Sequence, residues 1–385
     1  MFEHLQIYSS KERHMVGAAD LALSPLSWFR RSAPAAAPTR ILLLRLERIG
    51  DLLMVLDAIA AVRATWPHAQ IDLAVGSWNA ALAACIPGMS TVHILDVPWL
   101  AREGTGLPWS TMVARARGWR SERYDMVLNF EPDIRSNVLA WCSGAPRRLG
   151  YWTGGGGALL TDALAYSPDT HVATNALQLV RHAAGGTLPH DMPEGRLVPD
   201  AAAQTKVDAL LPSTPTRLIG VHVSGGRESK QWHLARFADT ARQLAADPGA
   251  TIVLTGAESD RAMVAQVLAA LDGVPVINTA GALTLIETAA LLTRLDVFVT
   301  GDTGPMHLAA AVGTPVVALF GPSDPRRYGP LGPRHRVLRV QLPCSPCGQV
   351  RLPPERCRGH VPDCMDGITV DVTVRATRDL LKGHA

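Results

Sequence analysis

Short, unbroken apolar runs alternating with helix-length segments constrain this chain more than any other feature. ILLLRL at 41–46 is aliphatic and of strand length. Gly50 follows it, and then Leu52, Val55, Leu56, Ile59 and Val62 recur at helical spacing. IDLAV (71–75), VHIL (92–95) and DMVLNF (125–130) continue the series. After a loop-rich middle (144–157 and 185–215) the pattern restarts with LIGVHV (218–223), TIVLT (251–255), VPVIN (274–278), DVFVT (296–300) and PVVALF (315–320). Strands that are apolar throughout need cover on both faces, which the crossover helices of a parallel sheet provide. Two such series, with a break near 200–216, predict an α/β protein of two Rossmann-like, doubly wound domains facing a cleft. The expected divisions are 1–38 as an extension, 39–205 and 206–385. Ligands of such sheets bind at the carboxyl ends of the strands, so the loops that follow strands are where chemistry is expected.

Composition removes several other classes. A net charge of +3 over 385 residues is too small for a nucleic-acid footprint. The apolar stretch at 308–320 is interrupted by Gly313 and Pro315 and falls short of the roughly 20 residues that span a bilayer. MFEHLQIYSSKERH has no apolar core followed by small residues, so no secretory signal is expected, and a cytoplasmic protein is. Lysine is rare (Lys11, Lys206, Lys230 and Lys382), so a lysine inside a glycine-containing loop stands out.

The first 38 residues differ from the rest. Residues 15–31 carry Val16, Leu21, Leu23, Leu26, Trp28 and Phe29 and end in Arg30 and Arg31, ahead of a loose APAAAP run. Aromatic rings beside arginines suit a membrane interface, because rings insert while guanidinium groups meet lipid phosphates. A helix docked on the protein body, interrupted at Pro25, is the alternative.

Three loops attract attention. Arg45-Leu-Glu-Arg-Ile-Gly50-Asp51 joins the opening strand to its helix, with Asp51 at the helix start. A carboxylate there either caps the helix or takes a proton from an attacking hydroxyl. The second loop, 223–232, combines Ser224, Gly225 and Gly226 with Arg227 and Lys230 ahead of a helix starting near His233. Exposed backbone N–H groups, positive charge and a helix N-terminus are what a diphosphate needs. The loop has neither the Walker nor the GxGxxG pattern, and an ordinary exposed basic loop is the alternative. The third runs Thr300-Gly-Asp302-Thr303-Gly304-Pro305-Met-His307. Pro305 suits a first helical turn and Thr303 can cap it. Asp302 would repel a phosphate and better serves a sugar hydroxyl or the loop itself, and His307 is placed to reach phosphate or sugar. Between these loops, Glu258 follows the strand TIVLT, where a carboxylate can bond a ribose hydroxyl or merely face solvent.

RLERIGDLLMVLDAI, HVSGGRESKQWHLARFADTARQL and DTGPMHLAAAVGTPVVALFGPSDPRRYGP resemble the bacterial lipopolysaccharide heptosyltransferase family, glycosyltransferase family 9. The resemblance extends from about residue 40 to about 370 and leaves the N-terminal extension uncovered. It implies a GT-B architecture, an ADP-heptose donor, an inverting displacement and no catalytic metal. It also implies a lipid-linked or core oligosaccharide acceptor, with peripheral contact at the inner membrane and no nucleic-acid partner. By the same resemblance Asp51 is the base, and Lys230 neutralises the donor diphosphate within a loop that includes Ser224 and Gly225. Asp302, Thr303 and Gly304 hold sugar and phosphates with His307 close behind, and Glu258 lies on the nucleotide side. Arg147 and Arg148, ahead of the Gly154–Gly157 run, look like acceptor-side residues. Arg48 and the continuation MVLDAI with Asp57 depart from the family pattern and leave the acceptor open.

Cys344, Cys347, Cys357 and Cys364 are spaced C-x2-C-x9-C-x6-C. Such a set suits a structural zinc or an iron–sulfur cluster, or reduced structural thiols, and a cytoplasmic setting disfavours disulfides. Two other functions share the expected architecture: a sugar-nucleotide epimerase, which needs no acceptor groove, and a nucleotide-sugar-binding assembly protein without turnover.

Overall fold

The computed structural model describes residues 2–7, 9–29, 37–100, 107–212 and 217–383. The chain divides into two compact units, Met1–Arg196 and Leu197–Ala385. In the first, β1 (Arg40–Leu44), β2 (Gln70–Val75), β3 (Thr91–Ile94), β4 (Met126–Asn129), β5 (Arg147–Tyr151) and β6 (Asp162–Leu164) form one sheet in the order β3-β2-β1-β4-β5-β6. All its pairings are parallel. The second unit repeats the plan with β7 (Arg217–His222), β8 (Ala250–Thr255), β9 (Val276–Asn278), β10 (Val297–Gly301), β11 (Val316–Leu319) and β12 (His335–Leu338), again all parallel. Its order is β12-β11-β10-β7-β8-β9. Strand order therefore reverses between β1 and β4 in one unit and between β7 and β10 in the other, the positions where such sheets bind ligands.

Burial follows the apolar runs. Ile41, Leu42, Leu43 and Leu44 of β1 are fully buried, and so are Val316, Val317 and Ala318 of β11. β5, β6 and β12 fall outside the expected strands. RRLGY, DAL and HRVL carry charged residues, and β12 is a half-exposed edge, so none of them reads as an apolar run. The helix expected after Gly50 is two pieces, Ile49–Leu53 and Leu56–Thr65, joined through Met54 and Val55. Gly50 lies in the first of them and is not one of the positive-φ glycines, so no glycine-only turn is made there. Residues 197–205 lie with the second unit. The helix Ala201–Asp208 packs on Leu285–Thr293, where Lys206 Nζ meets Glu287 at 2.9 Å.

The N-terminal extension is part of the first unit and forms a helix, Ser10–Leu23, capped by Ser9, followed by a 3-10 segment, Ser24–Phe29. Arg30 and Arg31, and the side chains of Leu26, Trp28 and Phe29, lie outside the described residues. No helix among the described residues is long and apolar enough to cross a membrane.

In the second core Trp232 is the largest fully buried side chain. Its ring meets Phe237 edge-on at 4.9 Å and its indole N–H donates to Ile368 O at 3.0 Å, tying the C-terminal region to the sheet. Trp232→Ala is expected to cost about 3–5 kcal/mol, whereas Leu352→Ala, at a residue 71% exposed, should stay within about 0.5 kcal/mol. Urea unfolding midpoints of the two variants test the contrast.

Candidate functional site

In the first unit the loop after β1 is built around a buried arginine. Arg45 NH1 donates to Phe130 O at 2.7 Å and pairs with Glu47 at 2.8 Å. Its Nε donates to Asp51 O at 3.1 Å, and NH2 stands 3.7 Å from Asp51 Oδ1. Asp51 closes the first turn of Ile49–Leu53, with Oδ2 accepting the Arg48 N–H at 3.1 Å. Asp51 thus does serve the helix start, while its side chain stays 31% exposed and within reach of a solute.

Across the switch point, Glu131 follows β4 and is almost wholly buried. Its Oε1 accepts the N–H groups of both Leu46 and Glu47, the latter at 3.2 Å, so a carboxylate from the fourth strand holds the loop that carries Asp51. Asn129 fixes Glu131 in turn, its Oδ1 accepting the Glu131 N–H at 3.1 Å. Asp133 caps the helix Ile134–Cys142 and grips Arg135, whose guanidinium lies over the Trp99 ring at 4.6 Å. Burial pushes the Glu131 carboxyl up to about 8, with the nearby Glu47 charge adding to it. Burial likewise raises Glu47 to about 7, against the pull of Arg45. Burial alone would lower the Arg45 pKa, but Glu47, Asp51 and Glu131 outweigh it and hold the group higher. Both glutamate carboxyls are thus held toward the protonated form. Sequence reading gives Arg45 and Glu47 no role of their own within their loop and passes over Glu131, Asp133 and Arg135; carboxylates immediately after a strand at the switch point, in NFEPD, are the available signal.

The second unit brings two of the expected loops together. Gln231 closes the first of them, its Oε1 accepting the Gly225 N–H at 2.8 Å and its Nε2 donating to Val223 O at 2.8 Å. A Cβ on Gly225 would stand 2.7 Å from the Gln231 backbone, so the loop admits only glycine there. Ser224 Oγ accepts the Gly226 N–H at 3.3 Å. Lys230 ends a 3-10 turn, and its ammonium donates to Asp302 O and, at 3.2 Å, to Asp302 Oδ2 in the loop after β10. Thr303 occupies the N-cap position of Gly304–Val312 with Pro305 in the first turn, but its hydroxyl does not cap. It turns to Thr300 Oγ1 at 3.3 Å instead. Gly304 and the half-buried His307 lie in the same helix. Glu258 sits just past β8, is 73% exposed and pairs with Arg261 at 2.9 Å.

Arg147 and Arg148 are placed differently from the expectation. They open β5 at its amino end, whereas Asp51 follows the carboxyl end of the parallel β1, and the structure does not bring them together. Arg147 NH1 donates to Ala183 O at 2.8 Å, at the end of the helix Val172–Ala183, and Arg148 Nε donates to Leu159 O at 2.8 Å. The cysteines are free thiols: Cys344 and Cys347 exposed, Cys357 half-buried, Cys364 buried. Burial, and then the proximity of Cys347 and Cys357, push the Cys364 thiol up to about 11. Among the described residues no group of three or more His, Cys, Asp and Glu is arranged to hold a metal ion. Their segment packs on the loop that holds Lys230 and on the loop after β11, with Ser229 Oγ donating to Val350 O at 3.1 Å and Gly348 N–H to Pro322 O at 2.8 Å.

Residues 112–354 match the model of glycosyltransferase family 9 (heptosyltransferase). A lipopolysaccharide heptosyltransferase 2 of Salmonella typhimurium is 27% identical over 319 residues, covering 78% of this chain and 88% of its own. Among solved structures, an E. coli ADP-heptose LPS heptosyltransferase II aligns with a TM-score of 0.72 at 22% identity, over 90% of this chain and 99% of that one. An E. coli heptosyltransferase solved with ADP-2-deoxy-2-fluoro heptose aligns at 0.65 and 19%, over 90% and 100%. The fold is that of the GT-B heptosyltransferases.

A pH dependence follows from Glu131. Its folded pKa lies above the ordinary 4.5, so the folded protein holds a proton that the unfolded chain releases. The stability this contributes is complete below about pH 4.5 and is lost as pH rises to about 8. Glu131→Gln keeps an acceptor for the Leu46 N–H but cannot ionise. Its melting temperature should decline less than that of the natural protein between pH 5 and 8.5. Parallel slopes in calorimetric scans would contradict the assignment.

Proposed function

The chain belongs to glycosyltransferase family 9, and from that premise we propose that it transfers a heptose, or a closely related sugar, from an ADP-sugar to a lipopolysaccharide-core or similar glycan acceptor, with inversion at the anomeric carbon. It is a glycosyltransferase. The observation that carries the finer reading is the Lys230–Asp302 contact. It joins a glycine loop after β7 to the helix-opening loop after β10, a combination suited to a sugar diphosphate. The relatives' printed names, with an ADP-heptose and a heptose analogue bearing ADP, support that donor.

The chemistry divides between the two units. In the second, the Lys230 ammonium meets the diphosphate, and the start of the helix Gly304–Val312 stabilises the charge that grows on ADP as it leaves. Asp302 holds Lys230, and its role in this reading is to bond a sugar hydroxyl. In the first unit, Asp51 takes the acceptor hydroxyl proton. As the acceptor oxygen bonds to the anomeric carbon from one face, the bond to the phosphate oxygen breaks on the other. Its electron pair departs with ADP, and the proton ends on Asp51. Lys230 and the helix start are the groups that take up the leaving charge. An ADP-sugar and a lipid-linked acceptor meet at the cytoplasmic face of the inner membrane, which is the proposed place of action.

Asp51→Ala is expected to leave ADP affinity nearly intact while kcat falls about 10²- to 10⁴-fold; turnover at the natural rate removes the assignment of the base. Lys230→Ala should weaken ADP binding in calorimetry by at least about tenfold. Undiminished affinity would place the diphosphate elsewhere.

A further inference from the structure

The chain ahead of β1 takes no part in the transfer just described, yet its contacts are specific. Gln6 donates its backbone N–H to Thr153 O at 2.9 Å and its side-chain amide to Tyr166 O at 2.8 Å. Phe2 lies against Gly17 of the helix Ser10–Leu23 so closely that a Cβ there would come within 2.3 Å of the ring. From the same helix, Asp20 Oδ1 accepts the Gly156 N–H at 2.8 Å. Val16 Cγ1 stands 2.5 Å from where a Cβ of Gly155 would be, and Glu12 reaches within 3.9 Å of Arg135. Three of these contacts, from Gln6, Val16 and Asp20, converge on the loop that follows the carboxyl end of β5.

That loop contains four consecutive glycines, 154–157, with Gly155 and Gly156 in the left-handed region at φ +89° and +74°. Glycine loses more backbone freedom on ordering than any other residue, so such a loop needs outside contacts to hold one shape. On one side it has them within the unit. Gly154 packs on the Pro132 carbonyl, where a Cβ would stand 2.0 Å away, and its own O accepts the Ile134 N–H at 3.1 Å. Asn137 donates to Gly155 O at 2.8 Å. On the other side the constraint comes from Asp20 and Val16. Through Pro132 the loop adjoins Glu131, which holds the Asp51 loop.

Resting on the reading of the first unit as the acceptor side, we propose that the helix Ser10–Leu23 is part of the acceptor site. Asp20 and Val16 act as positioning residues that lock the glycine loop after β5 into the shape in which it walls the acceptor. Calorimetry and hydrogen–deuterium exchange on the full chain test this, with a heptose-free lipopolysaccharide core oligosaccharide and ADP as separate probes. For Asp20→Asn, Val16→Ala and the double variant, exchange across 153–157 should rise about tenfold. Affinity for the oligosaccharide should fall about 3- to 10-fold, with ADP affinity unchanged. Met15→Ala, at an exposed position on the same helix, should change neither. Unchanged exchange in the double variant overturns the proposal, as does faster exchange with unaltered oligosaccharide affinity or no oligosaccharide binding by the natural protein. If the natural protein transfers no heptose while Asp20→Asn still lowers oligosaccharide affinity, the transferase reading fails and this one stands.

Discussion

In each unit a side chain bridges the loop after the first strand and the loop after the fourth, across the point where strand order reverses. In the first unit the bridge is Glu131, accepting the Leu46 and Glu47 N–H groups. In the second it is Lys230, donating to Asp302. A parallel sheet leaves a crevice at that point because neighbouring crossovers depart to opposite faces. Loops on either side of it have no ladder to register them against each other. A polar side chain spanning the gap supplies the missing register, and the candidate base and the candidate diphosphate lysine both depend on it.

The two bridges differ in cost. Lys230 and Asp302, with side chains 17% and 10% exposed, are one cation and one anion that balance each other. Glu131 and Arg45 are buried with Glu47 beside them, where charges are stable only when paired and hydrogen-bonded. Three carboxylates around one guanidinium leave excess negative charge, and the raised Glu131 and Glu47 carboxyls relieve it by keeping a proton. Arg45 is thereby committed on several sides, and little freedom remains to the backbone between β1 and Asp51.

Much of this was legible in the chain itself. The aliphatic runs located nine strands to within a residue or two, seven of them because a strand buried on both faces must be apolar throughout, while the edge strands β3 and β9 are largely aliphatic although partly exposed. β5, β6 and β12 escaped because strands at or near a sheet edge tolerate charge. Loop composition led to Lys230 and Asp302, but not to their contact with each other, which depends on a strand order that no local pattern encodes. Arg147 and Arg148 attracted attention through the family resemblance, as acceptor-side residues; they lie at the amino end of β5 and donate to backbone carbonyls. Glu131 was missed for the opposite reason: a glutamate beside a proline and an aspartate looks like a solvated turn until burial is known.

The contacts of Lys230 bear on how tightly a donor can be held. An ammonium has three hydrogens, and the two bonds to Asp302 occupy two of them, leaving one direction for a phosphate oxygen. A free lysine surrenders about 2 kcal/mol of rotamer entropy when a ligand immobilises it. Here much of that disorder is already given up when the chain folds, so an incoming diphosphate meets a donor whose aim is set in advance.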